Sequence, residues 1–519
     1  MFRCIVVYMS IARKILENTF VQIVGKLLTG ALSIVVLKII SGYLGTSGYG
    51  DYTTVYQYLA FFGIIADFGI YTITVKEMSK DESRIPVILG NVMGLRTLLS
   101  LLAMGLAIAV VFLMPNYKDT LIPIGVLIAT VATILNLLNG TISSVLQVHL
   151  KMQYTTIGLV LGKIVSVVYL AWVAYIAFTD NLTGGFYQLL WSGVIGNLVM
   201  FIITAYYVRR YCKITYKFDF GYWKKVFITS LPFGVALILN TIYFRLDVIL
   251  LTLFLPHSQT MPNLTADCIK NLCSDVEIGL IGVAMRMLET LVIVPVYFMN
   301  SVLPIMTRFI EEQSEKIRNL MQYSFDFLIA TALPILIGSY ILAKPIIYFI
   351  SDPEFVSGNV YTYGSDTAVR ILMFAMLFSF INSLFGFTLV VLNKQVKLMY
   401  INAGAVIFNL IANVLVIPYF GFRGAALVSV VSEAIILIFT YMAAQKLLGF
   451  HLSLRTFLRI FLSASVMGLA VYIGFQLMTD MWFAWQLLAL VPLGGIVYLI
   501  LMFKTKAVTP EMLYLLRKK

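Results

Sequence analysis

The residues of this 519-residue chain best placed to do chemistry are ionisable side chains set within apolar sequence. Lys26, Lys38, Asp67, Arg96, Lys163, Arg245, Asp247, Arg286, Glu289 and Glu433 all fall inside stretches long enough to cross a membrane. One such charge at the bilayer centre costs roughly 2.5–3.5 kcal/mol on insertion scales, so these groups should face a partner or a wet cavity. Cations in such a cavity suit an anionic cargo, which makes Lys26, Lys38, Arg245 and Arg286 candidate substrate-binding residues. Asp67, Asp247, Glu289 and Glu433 are candidates for ion coupling or gating, with a structural ion pair as the alternative for each. Arg286 and Glu289 are three apart and can pair on one helix. Arg245 and Asp247 point about 200° apart and cannot pair directly. Arg96 and Lys163 lie in the inner third of their spans, where long side chains can snorkel to the surface.

Other chemistries find little support. His149, His257 and His451 all fall in loops, no Cys/His cluster has metal-ligand spacing, and no Walker A sequence is present. No cofactor is expected, and coupling to H+, to Na+ or to the membrane potential is left open. A membrane glycan polymerase or glycosyltransferase would need a sizeable outer loop bearing paired acids. The longest outer loop, 256–276, offers Asp267 and Asp275, with Glu277 at its edge. It also holds Cys268 and Cys273, whose placement permits a disulfide outside the membrane, with two free thiols as the alternative.

The elements that must position these groups are membrane-spanning helices. The chain is 61% hydrophobic and 12% charged, against about 25% charged in soluble domains. About 14 apolar stretches can each cross ~30 Å of hydrocarbon, near 18–43, 51–75, 87–114, 120–147, 154–178, 186–208, 226–254, 277–306, 320–343, 367–392, 398–417, 422–445, 457–477 and 483–503. Basic residues crowd alternate connections, including Arg209, Arg210, Lys213, Lys217, Lys224 and Lys225 in one. The tail adds Lys504, Lys506, Arg517, Lys518 and Lys519, while the opposite side has only Lys118, Lys270, Arg370 and Arg423. The positive-inside rule then predicts a multi-pass protein of the cytoplasmic (inner or plasma) membrane with both termini cytoplasmic. The net charge of +13 is juxtamembrane, which points to anionic lipids as partners and away from nucleic acid.

The chain also contains its own duplicate. Asn136, Leu138, Gly140, Val145, Leu146, Lys151, Tyr154, Gly158 and Val160 recur as Asn382, Leu384, Gly386, Val391, Leu392, Lys397, Tyr400, Gly404 and Val406. The repeat unit is six helices, an even number, so both copies insert the same way up. Parallel repeats of this kind are a transporter architecture with the substrate path between the halves. The predicted organisation is an N-lobe at 1–210, a cytoplasmic linker at 211–225, a C-lobe at 226–447, and two added helices with a basic tail at 448–519. Pro295 is expected to kink the eighth span.

Several motifs carry a family resemblance. Gly-Tyr-Leu-Gly-Thr-Ser-Gly-Tyr-Gly-Asp-Tyr at 42–52 and Ala-Asp-Phe-Gly-Ile at 66–70 resemble the first two helices of polysaccharide repeat-unit flippases. Tyr-Phe-Arg-Leu-Asp-Val-Ile-Leu-Leu at 243–251 and Ile-Gly-Leu-Ile-Gly-Val-Ala at 278–284 are similar to their seventh and eighth. Asn409, Asn413 and the run from Ile417-Pro418 through Gly421-Phe422-Arg423-Gly424-Ala425-Ala426 resemble their eleventh and twelfth. Those flippases belong to an exporter superfamily (MOP) with multidrug (MATE) and lipid II flippases. The resemblance implies an all-α fold of two MATE-like lobes around a cationic cavity, to which Arg245 and Asp247 would contribute. It implies a lipid-linked oligosaccharide substrate, carried on undecaprenyl pyrophosphate from the inner to the outer leaflet, and a link to polysaccharide assembly machinery. The chain lacks the arginine-rich first helix expected of lipid II flippases, having Lys26 and Lys38 instead, a departure that points away from a peptidoglycan precursor. A MATE-type drug or cation antiporter is the runner-up.

Overall fold

The computed structural model describes residues 2–149, 151–258, 273–312, 315–450, 452–478 and 481–505. Among these residues the structure is helical with no strand. In chain order the helices are α1 (Phe2–Asp67), α2 (Ile70–Lys80), α3 (Ile85–Leu113), α4 (Ile122–Val148), α5 (Met152–Trp172), α6 (Leu182–Val208) and α7 (Phe220–Phe254). Then come α8 (Ser274–Leu291), α9 (Ile293–Glu311), α10 (Lys316–Ile341), α11 (Ala343–Ile350), α12 (Ser365–Val391), α13 (Gln395–Leu448), α14 (Leu454–Leu477) and α15 (Phe483–Lys504).

Among the described residues, 11 helices are long and apolar enough to cross a membrane. That number takes α1 and α13 once each, although each carries two of the expected spans. Straight helices of 44 and 54 residues would be about 66 and 81 Å long at 1.5 Å per residue, well over twice the ~30 Å hydrocarbon core. Both are broken at a glycine: Gly45 (φ 66°) and Gly421 (φ 54°) leave the helical region. Positive φ costs glycine little and other residues more. The two breaks share a local pattern, Tyr-Leu-Gly-Thr-Ser-Gly at 43–48 and Tyr-Phe-Gly-Phe-Arg-Gly at 419–424. The eighth expected span divides between α8 and α9 at Val292. Pro295 therefore sits in the first turn of α9, where its missing N–H has no helical partner to lose.

Large apolar side chains face outward along the spans. Leu101, Leu102, Leu106 and Leu113 of α3 are all more than half exposed, a pattern that water would penalise and acyl chains accept. The protein is a multi-pass integral membrane protein.

The chain forms two compact units. The first runs through α7 and includes the first turn of α8, Cys273–Gly279; the second takes most of the chain from Leu280 onward. By its contacts α7 groups with the first unit, packing on α1, α2 and α3, whereas the sequence repeat sets it at the head of the second lobe. Within the first unit, one core joins Val55, Tyr58, Leu59 and Phe62 of α1 to Met104 and Ala107 of α3, Val126 and Ala129 of α4, and Phe186 of α6. Inside it the Tyr58 hydroxyl donates to the Ala107 carbonyl at 2.7 Å, as a buried phenol requires. A second core gathers Met78, Leu89, Val92, Ile142 and Leu146 with Cys212 of the basic connection and Trp223 of α7. In the second unit α12 packs on α10 and α13, and α14 packs on α10 and α15.

Candidate functional site

The Ala-Asp-Phe-Gly-Ile motif builds the first charged site. Phe68 (φ 43°) and Gly69 (φ 71°) both adopt left-handed backbone, so α1 stops at Asp67 and α2 departs on a new course. That conformation is unusual for a bulky residue, and the Phe68 ring is stacked on Phe227 at 5.0 Å between centroids. The break sets the Asp67 carboxylate against Arg96 of α3, whose Nη2 donates to Oδ1. The Arg96 side chain is 4% exposed and that of Asp67 26%. The expectation that Arg96 snorkels is therefore corrected: its end lies inside the first unit, against a carboxylate. The cause is electrostatic, since a guanidinium held in low dielectric needs a counter-charge. Beside it the Tyr71 hydroxyl donates to Gln147 Oε1 of α4. Nε and Nη1 of Arg96 are buried with no hydrogen-bond partner among the described residues.

Arg245 and Asp247 lie on different faces of α7, as their spacing predicts. Arg245 is half-buried, and its Nη1 donates to Gln57 Oε1 of α1, a neutral acceptor. Asp247 is buried. Of the two lysines assigned to cargo on α1, Lys26 is exposed and Lys38 half-buried; Lys163 of α5 is half-buried.

In the second unit Arg286 donates to Glu289 at 3.1 Å, three residues along α8, with side chains 51% and 35% exposed. Glu433 is buried and accepts from the Asn382 side-chain amide at 2.6 Å. A buried ladder runs beside it: Asn413 donates to Asn409 at 3.0 Å, and Asn409 to the Ser432 hydroxyl at 3.3 Å. Asn382 belongs to the internal repeat and Asn409 and Asn413 to the last motif quoted above. Sequence reasoning assigned none of the three a partner.

On the side predicted to be cytoplasmic, the basic connection is held against α3. Lys217 N–H donates to the Gly90 carbonyl at 3.0 Å and the Trp223 indole to the Asn91 carbonyl at 2.9 Å. This docking leaves a cavity of about 190 Å³ lined by Glu77, Lys80, Asp81, Arg84, Tyr222 and Lys225 with Ile73, Ile88 and Val226. Lys80 bonds Glu77 at 2.7 Å and, with Lys225 and Lys76 nearby, holds its carboxyl below the usual range. Three cations, Lys80, Arg84 and Lys225, and two carboxylates, Glu77 and Asp81, line it.

The opposite end of the first unit holds a group that sequence reasoning missed. His257 was placed in a loop with no role assigned, and it is buried just past α7, with Nε2 2.8 Å from Asp51 Oδ1 of α1. Asp275 of α8 accepts from the Ser258 N–H at 3.0 Å and from the hydroxyls of Ser258 and Ser47. No periodicity reveals a pairing across 206 residues. Cys273 is disulfide-bonded, and Cys268, the partner suggested by sequence, lies outside the described residues.

Comparison with known proteins agrees with the fold. The lipid II flippase MurJ in an inward closed conformation superposes with a TM-score of 0.65 at 15% identity, covering 94% of this chain and 98% of that one. An inward-facing multidrug resistance MATE transporter of the MOP superfamily gives 0.61 at 16% identity, covering 81% and 94%. No curated protein matches the sequence significantly. A family profile described as MatE matches residues 258–415. A second profile, described as polysaccharide biosynthesis protein, matches residues 15–310, more than half the chain. With the motifs at 42–52, 66–70 and 243–251 all inside that match, this chain belongs to the polysaccharide biosynthesis protein family.

Proposed function

We propose that the protein is a flippase that moves an undecaprenyl-pyrophosphate-linked oligosaccharide from the inner to the outer leaflet, by alternating access between its two lobes. The family match over residues 15–310 carries this reading, and the cationic side chains on spanning helices supply its chemistry. A pyrophosphate needs Lys or Arg to replace its water, and Lys26, Lys38, Arg245 and Arg286 are the proposed contacts. The half-buried Arg245 donates to the neutral Gln57 of α1, a contact that helps to orient the guanidinium. Asp67, Asp247, Glu289 and Glu433 are proposed to gate the path or carry a coupling ion. The pairs Asp67–Arg96 and Arg286–Glu289 are suited to gating, since an arriving anion competes for each arginine. An inside-negative potential favours outward movement of an anion by roughly 2.3 kcal/mol per charge per 100 mV. The basic cavity beside Lys80, Arg84 and Lys225 suits anionic lipid headgroups on the cytoplasmic side. Assembly machinery downstream would take the delivered oligosaccharide.

The test is export of the glycan by cells carrying Arg245→Ala and Arg286→Ala at equal membrane levels. Loss of export with the lipid-linked precursor accumulating inside is expected, and unchanged export would remove the proposed role. The MatE match over 258–415 favours a second reading, a drug or cation antiporter. That reading predicts wild-type glycan export but impaired drug efflux in strains lacking the protein.

A further inference from the structure

The buried His257 group has features that a purely structural contact does not need. Ser274 and Asp275 open α8 much as Ser365 and Asp366 open α12. In both helices the aspartate, in the first turn, accepts from the N–H and the hydroxyl of an upstream serine: Ser258 for Asp275, Ser357 for Asp366. At α12 the nearby cation is Arg370, 3.6 Å from Asp366 and permanently charged. At α8 it is an imidazole, which can lose its proton.

The surroundings make that proton matter. Asp51, Asp275 and His257 are each almost wholly buried, so two carboxylates rely on the imidazole and on hydroxyl donors in place of water. One Asp51 oxygen, Oδ2, is buried with no hydrogen-bond partner among the described residues. Burial opposes charge on the imidazole, but the hydrogen bond and charge of Asp51, with Asp275 beyond, raise its pKa above the ordinary histidine value. Other titratable groups that feel the charge of the cluster are Tyr117 after α3 and Tyr187 of α6, and buried Glu277 lies two residues beyond Asp275 on α8. Phenols are ordinarily neutral and carboxylates ionised near pH 7, whereas a histidine changes charge between about pH 5 and 8.

The cluster lies where α8 meets α1 most closely. A methyl group on Gly50 would collide with the Asp275 carbonyl, and one on Gly279 with the Thr46 carbonyl. Asp275 is held in turn by Ser47 of α1. We propose that His257, Asp51 and Asp275 form a proton-binding latch that fastens the first turn of α8 to α1 and loosens when the imidazole gives up its proton. By the predicted topology the proton comes from the outer side. The latch stands whatever the cargo is, because its parts all lie in the first unit and none is a proposed substrate contact.

Hydrogen exchange on the full-length protein in lipid nanodiscs, followed from about pH 6 to 9 and corrected for intrinsic rates, reads the latch without any substrate. In the wild type, protection of residues 274–279 should fall as pH rises, by up to about tenfold for each unit of pKa elevation. His257→Gln should show weak, pH-independent protection there, while Asp366→Asn should leave the α8 profile as in the wild type. Equal protection across the pH range in the wild type, or a pH dependence that survives His257→Gln, would overturn the proposal. Should that variant fail to reach the membrane, NMR titration of the three histidines in the wild type decides. A His257 midpoint above about 6.5 supports the latch, and one at or below about 6.5 refutes it.

Discussion

Asp67 and Arg96 allow a sharp test because the two partners are unequally buried. The Arg96 side chain is 4% exposed and binds Asp67 through Nη2, with no hydrogen-bond partner for Nε and Nη1 among the described residues, while Asp67 is 26% exposed. Asp67→Asn preserves shape and an acceptor oxygen but strands a guanidinium inside the first unit. Breaking a buried pair from one side costs about 3–5 kcal/mol. Arg96→Met removes the deeper charge and leaves a carboxylate that reaches solvent, so the loss should be about 1–3 kcal/mol. The double variant Asp67→Asn/Arg96→Met removes both charges and should recover to within about 1 kcal/mol of the wild type, since buried pairs often break even against apolar replacements. Thermal unfolding of the purified protein, read as the temperature at which the monodisperse peak is lost, ranks the variants. The expected order is wild type close to the double variant, then Arg96→Met, then Asp67→Asn. Additive losses in the double variant, or a greater loss for Arg96→Met, would refute the reasoning.

Three further outcomes are expected. Gly50→Val forces a side chain into the Asp275 backbone and should cost about 1–3 kcal/mol or more, seen as a lowered unfolding temperature. Asn382→Leu removes the 2.6 Å donor to buried Glu433 and should cost about 1.5–3 kcal/mol; adding Glu433→Leu should restore most of it, by the same thermal assay. The raised pKa of His257 means its bridge contributes fully below about pH 6.5 and is lost as pH rises through the folded value. A pH series of melts should therefore slope downward in the wild type and lie flatter in His257→Gln.

Hydropathy was enough to recover the helical class and most of the apolar spans, because each is written locally; about 14 spans were expected, and 11 helices among the described residues are long and apolar enough to cross a membrane. The motif at 66–70 was visible, and Asp67 with it. Its partner was not, since the meeting with Arg96 depends on the left-handed turn at Phe68 and Gly69, and α3 could equally have let the arginine reach outward. The local pair Arg286–Glu289 followed from spacing alone. His257 was read only as a loop residue because it follows an apolar span, and only folding brings Asp51 and Asp275 to it. Asn382, Asn409 and Asn413 carried signals of repeat and motif, but amides have no charge pattern from which a partner can be read. Spacing showed that Lys26 and Lys38 lie within a span, yet left open how deeply each is covered: one is exposed and the other half-buried.

The glycine breaks at 45 and 421 have a mechanical consequence. Where a single residue is the whole joint, two neighbouring spans have one pair of torsions as their articulation and no slack to absorb a tilt. Each couple should swing as one lever, so that a push on the helix before Gly45 is delivered to Asp51 within about two turns and to Gln57 within about four. An L-alanine at Gly45 (φ 66°, ψ −171°) would strain that elbow at a cost of roughly 1–3 kcal/mol, and a D-alanine placed there by semisynthesis would keep its bend while stripping its freedom.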